Sequence, residues 1–213
     1  MKLRLVSVVA LAMTTTAGIS NAQDNMGSDL NQPAIQSPET DAFTPMTRSE
    51  RFKHYLVSTF GRKALASGAM RAELGQVRHD PKEFGGGAAG YGARFGSAFA
   101  QHIIRGTLQY GASAILHEDN RYLASGKKGF WKRTGYAATS TFLTRHDNGR
   151  RGFAFSRIGS AGGAAFIARV WLPRSVATAS AGASSFGLTI AYDVGSNMLR
   201  EFWPEIKRRF RRQ

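Results

Sequence analysis

Cysteine is absent from this 213-residue chain. Its absence excludes disulfides, zinc–thiolate and iron–sulfur sites, a cysteine nucleophile and a lipid-modified N-terminal cysteine. Acidic side chains are scarce: 14 Asp and Glu stand against 29 Lys and Arg, a formal net charge of +15. Long apolar runs are missing too. The stretch 95–116 is interrupted by His102 and Arg105, the stretch 176–199 holds Asp193 and many Ser and Thr, and the uninterrupted stretch 158–168 is only 11 residues long. A central Arg or Asp costs about 2.5–3.5 kcal/mol on insertion scales, with little Leu or Ile here to offset it, so independent membrane spans are not expected.

Catalytic signatures are equally sparse. Gly85-x-Gly87-x-x-Gly90 matches the dinucleotide fingerprint in letters alone, because Asp80-Pro81 precedes it rather than a strand. Ser125-Gly126-Lys127-Lys128-Gly129 lacks the first glycine and the terminal Ser/Thr of a phosphate loop. Ser156, Ser184 and Ser185 have no nucleophile-elbow context. Neither a cofactor nor a metal is expected. The best enzyme candidates are two His–carboxylate corners, His117-Glu118-Asp119 and His146-Asp147, which lack zinc-helix spacing but would supply an acid–base pair if folding joined them.

What is present starts with an address. Lys2 and Arg4 precede an apolar run, Leu5 to Met13, and Ser20-Asn21-Ala22 offers small residues before a cleavage point. Residues 1–22 therefore read as a secretory leader, and the expected location is the periplasm or an envelope-associated site of a bacterial-type cell. Residues 23–47 carry Pro33, Pro38 and Pro45, four acids and no base. That composition predicts a disordered acidic linker.

Residues 48–213 hold 27 Lys and Arg against 10 Asp and Glu. A basic domain behind an acidic tether calls for an anionic partner. Export disfavours nucleic acid and favours anionic lipid or an envelope polymer.

The expected fold class is mainly α, a compact helical bundle. Thr47-x-x-Glu50 is a capping box ahead of an apolar stripe, Gly61 breaks or bends that helix, and Asp80-Pro81 stops the next. Residues 85–92 read as a loop, 93–117 as a helix and 118–129 as a polar loop. Further helices are expected at 130–145, 156–171 and 175–202. His146-Asp147-Asn148-Gly149 is a turn signature, and Trp203-Pro204 reads as a helix stop before a last turn to Phe210.

Ala179, Ala183, Gly187, Ala191 and Gly195 recur every fourth residue, so one helix face would be nearly free of side chains. With Gly92-x-x-x-Gly96 and Gly159-x-x-x-Gly163 these positions are expected to make close helix contacts, within the chain or between copies in a homo-oligomer. Arg-x-Gly-x-Ala recurs at Arg94, Arg133 and Arg157, without a fixed period. Asp193, apolar on either side, needs a basic partner such as Arg105, His102 or Arg94.

Trp131, Trp171 and Trp203 each fall at an expected helix end beside Lys or Arg, the arrangement of interfacial anchors. Lys207, Arg208, Arg209, Arg211 and Arg212 form a basic tail around Phe210. These residues are the expected surface contacts, in a structural or interaction role. An envelope enzyme at the His corners and an outer-membrane β-barrel are the alternatives. The barrel is suggested by alternation at Phe153, Phe155, Leu188, Ile190, Tyr192 and Val194.

Overall fold

The computed structural model of the chain describes residues 43–211. The expected leader, most of the linker and Arg212 lie outside that range. Of the linker, residues 43–47 are described: Met46 is buried, and the Thr44 carbonyl accepts a hydrogen bond from Arg121 Nη2 at 2.9 Å.

The capping box forms as the spacing requires. Glu50 N–H donates to Thr47 Oγ1 at 3.2 Å, and Thr47 N–H donates back to Glu50 Oε2 at 2.8 Å. It opens helix α1, Arg48–Phe60, and after an extended Gly61 the chain resumes as α2, Arg62–Arg78. Helix α3, Gly87–Ile115, runs back along both. The expected 85–92 loop is therefore short, and the helix starts at Gly87. Gly90 allows this, since a Cβ there would meet the Gly85 and Phe84 carbonyl oxygens at 2.5 and 2.7 Å.

Beyond α3 comes strand β1, Glu118–Asp119, then a loop to helix α4, Phe130–Thr139. The helix expected to reach residue 145 ends there. Thr139 and Ser140 turn their hydroxyls back onto the carbonyls of Gly135 and Tyr136 at 2.9 and 2.8 Å. Such back-bonding, with β-branched Thr141 and Thr144 next, favours extended chain over helix. Strands β2, Leu143–His146, and β3, Arg151–Phe153, form an antiparallel hairpin across the predicted Asn148-Gly149 turn, and β1 pairs with β2. Gly149 takes φ 78°, where a side chain would be strained.

Helix α5, Phe155–Ile167, ends in a 3₁₀ turn, Ala168–Val170, in place of a helix to 171. Helix α6, Ala179–Phe210, closes the fold. It contains the segment whose alternation suggested strands. The predicted stop at Trp203-Pro204 is overridden, because Pro204 lies inside α6. Arg133 binds the carboxylates of both Glu201 and Glu205, one on each side of the proline, and the Glu201 carbonyl as well. This three-point clasp holds the helix across a residue that normally breaks it.

The core is made of small residues. Among the described residues the buried apolar side chains are Met46 and eight alanines, including Ala161, Ala164 and Ala165 along α5 and Ala168 just beyond it. The largest fully buried side chains are polar: Glu118, Thr59, Thr141, Asp119, Ser113 and Ser156. Among the described residues, no Leu, Phe or Trp is fully buried; those between helices, such as Phe95, Phe99 and Phe186, are half-buried and many others are exposed.

The small-residue ladder is helical as expected, but its direction is not. Ala179, Ala183, Gly187, Ala191 and Gly195 are all exposed, and a Cβ on Gly187 or Gly195 would meet nothing within 4 Å. The inward face of α6 is instead Gly182, Thr189, Asn197 and Glu201. Gly92, Gly96 and Gly159 likewise face open space, while Gly163 approaches Leu108 on α3. The close glycine contacts lie elsewhere: Gly182 under the Phe166 ring, and Gly106 against Thr59.

The Arg-x-Gly-x-Ala echo has a shared physical role. Arg94 donates to the carbonyls of Asp80, Pro81 and Gly85 at 3.1, 2.8 and 2.9 Å. Arg133 grips the Glu201 carbonyl, and Arg157 those of Ser140 and Thr141. In each copy the Arg turns inward while the glycine two places on, Gly96, Gly135 or Gly159, faces open space.

Candidate functional site

Folding joins the two His–carboxylate corners. Glu118 and His146 are direct partners across β1 and β2, and Asp147 N–H donates to the His117 carbonyl at 2.9 Å. Their carboxylates are nevertheless spent on structure. Glu118, 0 % exposed, accepts from the Phe155 and Ser156 N–H groups at 3.0 Å each and from Ser156 Oγ at 2.5 Å. It sits at the N-terminus of α5, where the first N–H groups lack helical partners and negative charge is favoured.

Asp119 binds Arg121 through Nε and Nη2. Asp147 lies 3.2 Å from Arg51 Nη2 and 3.2 Å from His117 Nδ1. His146 Nδ1 lies 3.2 Å from the Leu116 carbonyl. No cluster of three His, Cys, Asp or Glu able to hold a metal occurs among the described residues. The corners form a knot that ties α1, the sheet and α5 together.

A second buried carboxylate, Glu201, accepts from Tyr122 Oη at 2.7 Å, Ser125 N–H at 3.1 Å and Arg133 Nε at 3.2 Å. Burial opposes its ionisation, but these donors prevail and hold its pKa below the ordinary value. Asp193 meets Arg105, one of the three partners expected for it, as an ion pair between α3 and α6.

The surface residues behave differently. An open groove of about 710 Å³ is lined by Lys127, Lys128, Trp131, Lys132, Tyr136 and Arg151, with Gly135 and Thr139. Lys127 and Arg151 lie over the Tyr136 ring, 5.2 and 5.1 Å from its centre. None of the described residues that line this groove is a carboxylate. Glu201 and Glu205 are held by Arg133, and Asp119 by Arg121. Trp131 is 81 % exposed beside Phe130, whose ring packs on Phe202 of α6. That contact places the start of α4 beside the residues from which the basic tail continues.

The other expected anchors divide. Trp171 donates from Nε1 to Ser97 Oγ at 3.1 Å, beside the α3 half remote from the sheet. Of the bases read with it, Arg169 turns onto the carbonyls of Ala165 and Val176. Trp203 lies within α6 rather than at its end, and is 45 % exposed. Lys207, Arg208, Arg209 and Arg211 are exposed on the last turns of α6. Sequence reasoning paired Trp131 with Lys132 and Arg133. It missed Lys127, Lys128 and Arg151, because Arg133 turns inward and Arg151 arrives from a hairpin 20 residues downstream.

Among the described residues, no helix is long and apolar enough to cross a membrane. Comparison of the chain with protein-family models, with curated proteins and with solved structures finds no match.

Proposed function

We propose that this protein is an exported envelope component with a structural, surface-binding role, and that its partner is an anionic membrane. The observation that carries the reading is the inverted distribution of side chains. Polar groups fill the interior, while Trp131, Val170, Ile115, Phe210 and Leu188 are each at least 70 % exposed. Exposed singly, such residues are ordinary; exposed as the main large apolar content of a small protein, they mark an interaction surface. An anionic polymer would use the charge but would leave these apolar groups in water, so the membrane is the better match. Bases gather at the same end as Trp131 and Phe130, a pairing suited to the headgroup layer.

The exposed ladder on α6 is the face along which a second copy would pack, since backbones can approach closely there. The enzyme alternative is disfavoured by the saturation of Glu118 and Asp119, and a barrel by the helical course of residues 179–210.

Co-sedimentation of the full chain with acidic and with neutral phospholipid vesicles tests the proposal. Binding is expected to acidic vesicles, weakening as salt screens the bases. Equal recovery with both vesicle types, or none with either, rejects it.

A further inference from the structure

The chain enters the fold across the small sheet. Met46 is buried, and the Thr44 carbonyl is held by Arg121 Nη2 at 2.9 Å. The Arg145 guanidinium lies over the Phe43 ring, 5.4 Å from its centre. That ring also borders the hairpin turn, 3.9 Å from where a Cβ on Gly149 would stand. We infer that the segment 39–42 docks through Glu39 and Asp41 on the arginine face of the β2–β3 hairpin, and that it thereby restrains binding of this end of the molecule to anionic lipid. The restraint rests on the membrane reading; the docking does not.

Three observations carry the docking. First, Arg145 and Arg151 are direct partners across β2 and β3, so both project from one face of the hairpin. Phe43 sits under Arg145, so the segment leads off from that same face. Two neighbouring guanidiniums make a donor set suited to a carboxylate.

Second, the charges match. Residues 23–47 hold four acids and no base. The acids nearest the hairpin are already engaged, Asp119 by Arg121 and Asp147 by Arg51 and His117. Neither Arg145 nor Arg151 is without a partner. This is a face whose cations the chain engages itself.

Third, chain length leaves the two acids nowhere distant to go. At about 3.4 Å per residue, Asp41 stays within ~7 Å of Phe43 and Glu39 within ~14 Å. So short a tether gives an effective concentration in the millimolar range, against which a free anion competes poorly. Asp29 and Asp24, with ~48 and ~65 Å of chain, are under no such constraint. Arg151 also lines the groove of Lys127, Lys128, Trp131 and Lys132. The docked carboxylates therefore lie beside the bases assigned to the membrane and offset them.

The docking is tested on the full chain in physiological salt by a carboxyl-detected NMR titration. Glu39 and Asp41 are expected to titrate below their ordinary values of about 4.3 and 3.9, and Asp29 at its own. All three at ordinary values overturns the docking. A depression that grows with protein concentration assigns the face to the segment of a second copy and overturns the intramolecular contact.

The restraint is tested by partition onto phosphatidylglycerol and phosphatidylcholine vesicles. Glu39→Gln/Asp41→Asn is expected to gain roughly 30-fold on phosphatidylglycerol, the release of two membrane-facing bases. Asp24→Asn/Asp29→Asn makes the same change in net charge and is expected to gain no more than about threefold. Equal gains in the two variants overturn the restraint, because net charge alone then accounts for them. A wild type that prefers neither vesicle fails the membrane reading and the restraint with it, while the titration still decides the docking.

Discussion

Two charged regions of this molecule use similar residues to opposite ends. In the knot around Glu118, Asp119 and Asp147, every carboxylate is met by an arginine, a serine or backbone N–H groups. In the groove around Trp131, Lys127, Lys128 and Lys132 are exposed, and none of the described residues that line it is a carboxylate. The difference follows from burial. A charge taken out of water must find its partner within the fold, because an unpaired buried charge costs several kcal/mol. A charge at the surface is supported by water and can wait for a partner from outside. Satisfaction, rather than residue type, separates structure from interaction here, and the buried carboxylates of the histidine corners, Glu118 and Asp119, fall on the structural side.

The comparison breaks most visibly if the knot proves dispensable. Glu118→Ala leaves two N–H groups of α5 without their acceptor and takes from buried Ser156 the shorter of its two hydrogen bonds, and is expected to cost about 3–5 kcal/mol, read as a fall in urea midpoint. Arg94→Lys is expected to cost about 2–3 kcal/mol by the same measurement, since one ammonium cannot replace a planar guanidinium that reaches three carbonyls and Gln76. Neither change should alter vesicle preference once the protein is folded.

The glycines sharpen the contrast between inner and outer faces of α6. Gly182→Ala drives a Cβ to 2.8 Å from the Phe166 ring, an overpacking expected to cost about 1–3 kcal/mol. Gly187→Ala meets nothing in the monomer and should stabilise it by about 0.5–1 kcal/mol through helix propensity. If Gly187→Ala instead lowers stability in a concentration-dependent manner, a second copy occupies the ladder.

The smallest expected effect is in acid. Burial lowers the His102 pKa, so the folded state holds this imidazole neutral while the unfolded chain takes up a proton near pH 6.5. Stability from this source is complete above that pH and is lost as pH falls toward the folded value. Glu201, also depressed, adds a loss in the carboxylate range below about pH 4.3. His102→Gln should flatten the upper part of the curve and Glu201→Gln the lower, in denaturation midpoints measured between pH 8 and 3.

Much of the helical order was legible because its signals are local. The Thr47 capping box, the break at Gly61 and the Asn148-Gly149 turn depend on residues within four positions of one another. The strand at 143–146 was not legible, since its partners, Glu118 and Asp119 on one side and Arg151 to Phe153 on the other, confer an extended conformation that Leu-Thr-Arg-His does not dictate alone. Pro204 misled for a related reason: its local rule is sound, but a clasp from Arg133 outweighs it. The site was half visible. Trp131 and Lys132 are neighbours in the chain, whereas Lys127 and Arg151 become neighbours only across Tyr136.

By itself the sequence favoured a helix for α6 and determined that on a helix one stripe of it is nearly bare, because a four-residue period is a property of a single helix. Which way the stripe faces was decided only by the tertiary structure. Periodicity fixes the angular spacing of residues on a helix but carries no information about its neighbours. Here Gly182 lies under Phe166 of α5, Asn197 donates to Thr141 just beyond α4, and Glu201 binds Tyr122, Ser125 and Arg133; meeting these partners turned Ala183, Gly187, Ala191 and Gly195 outward.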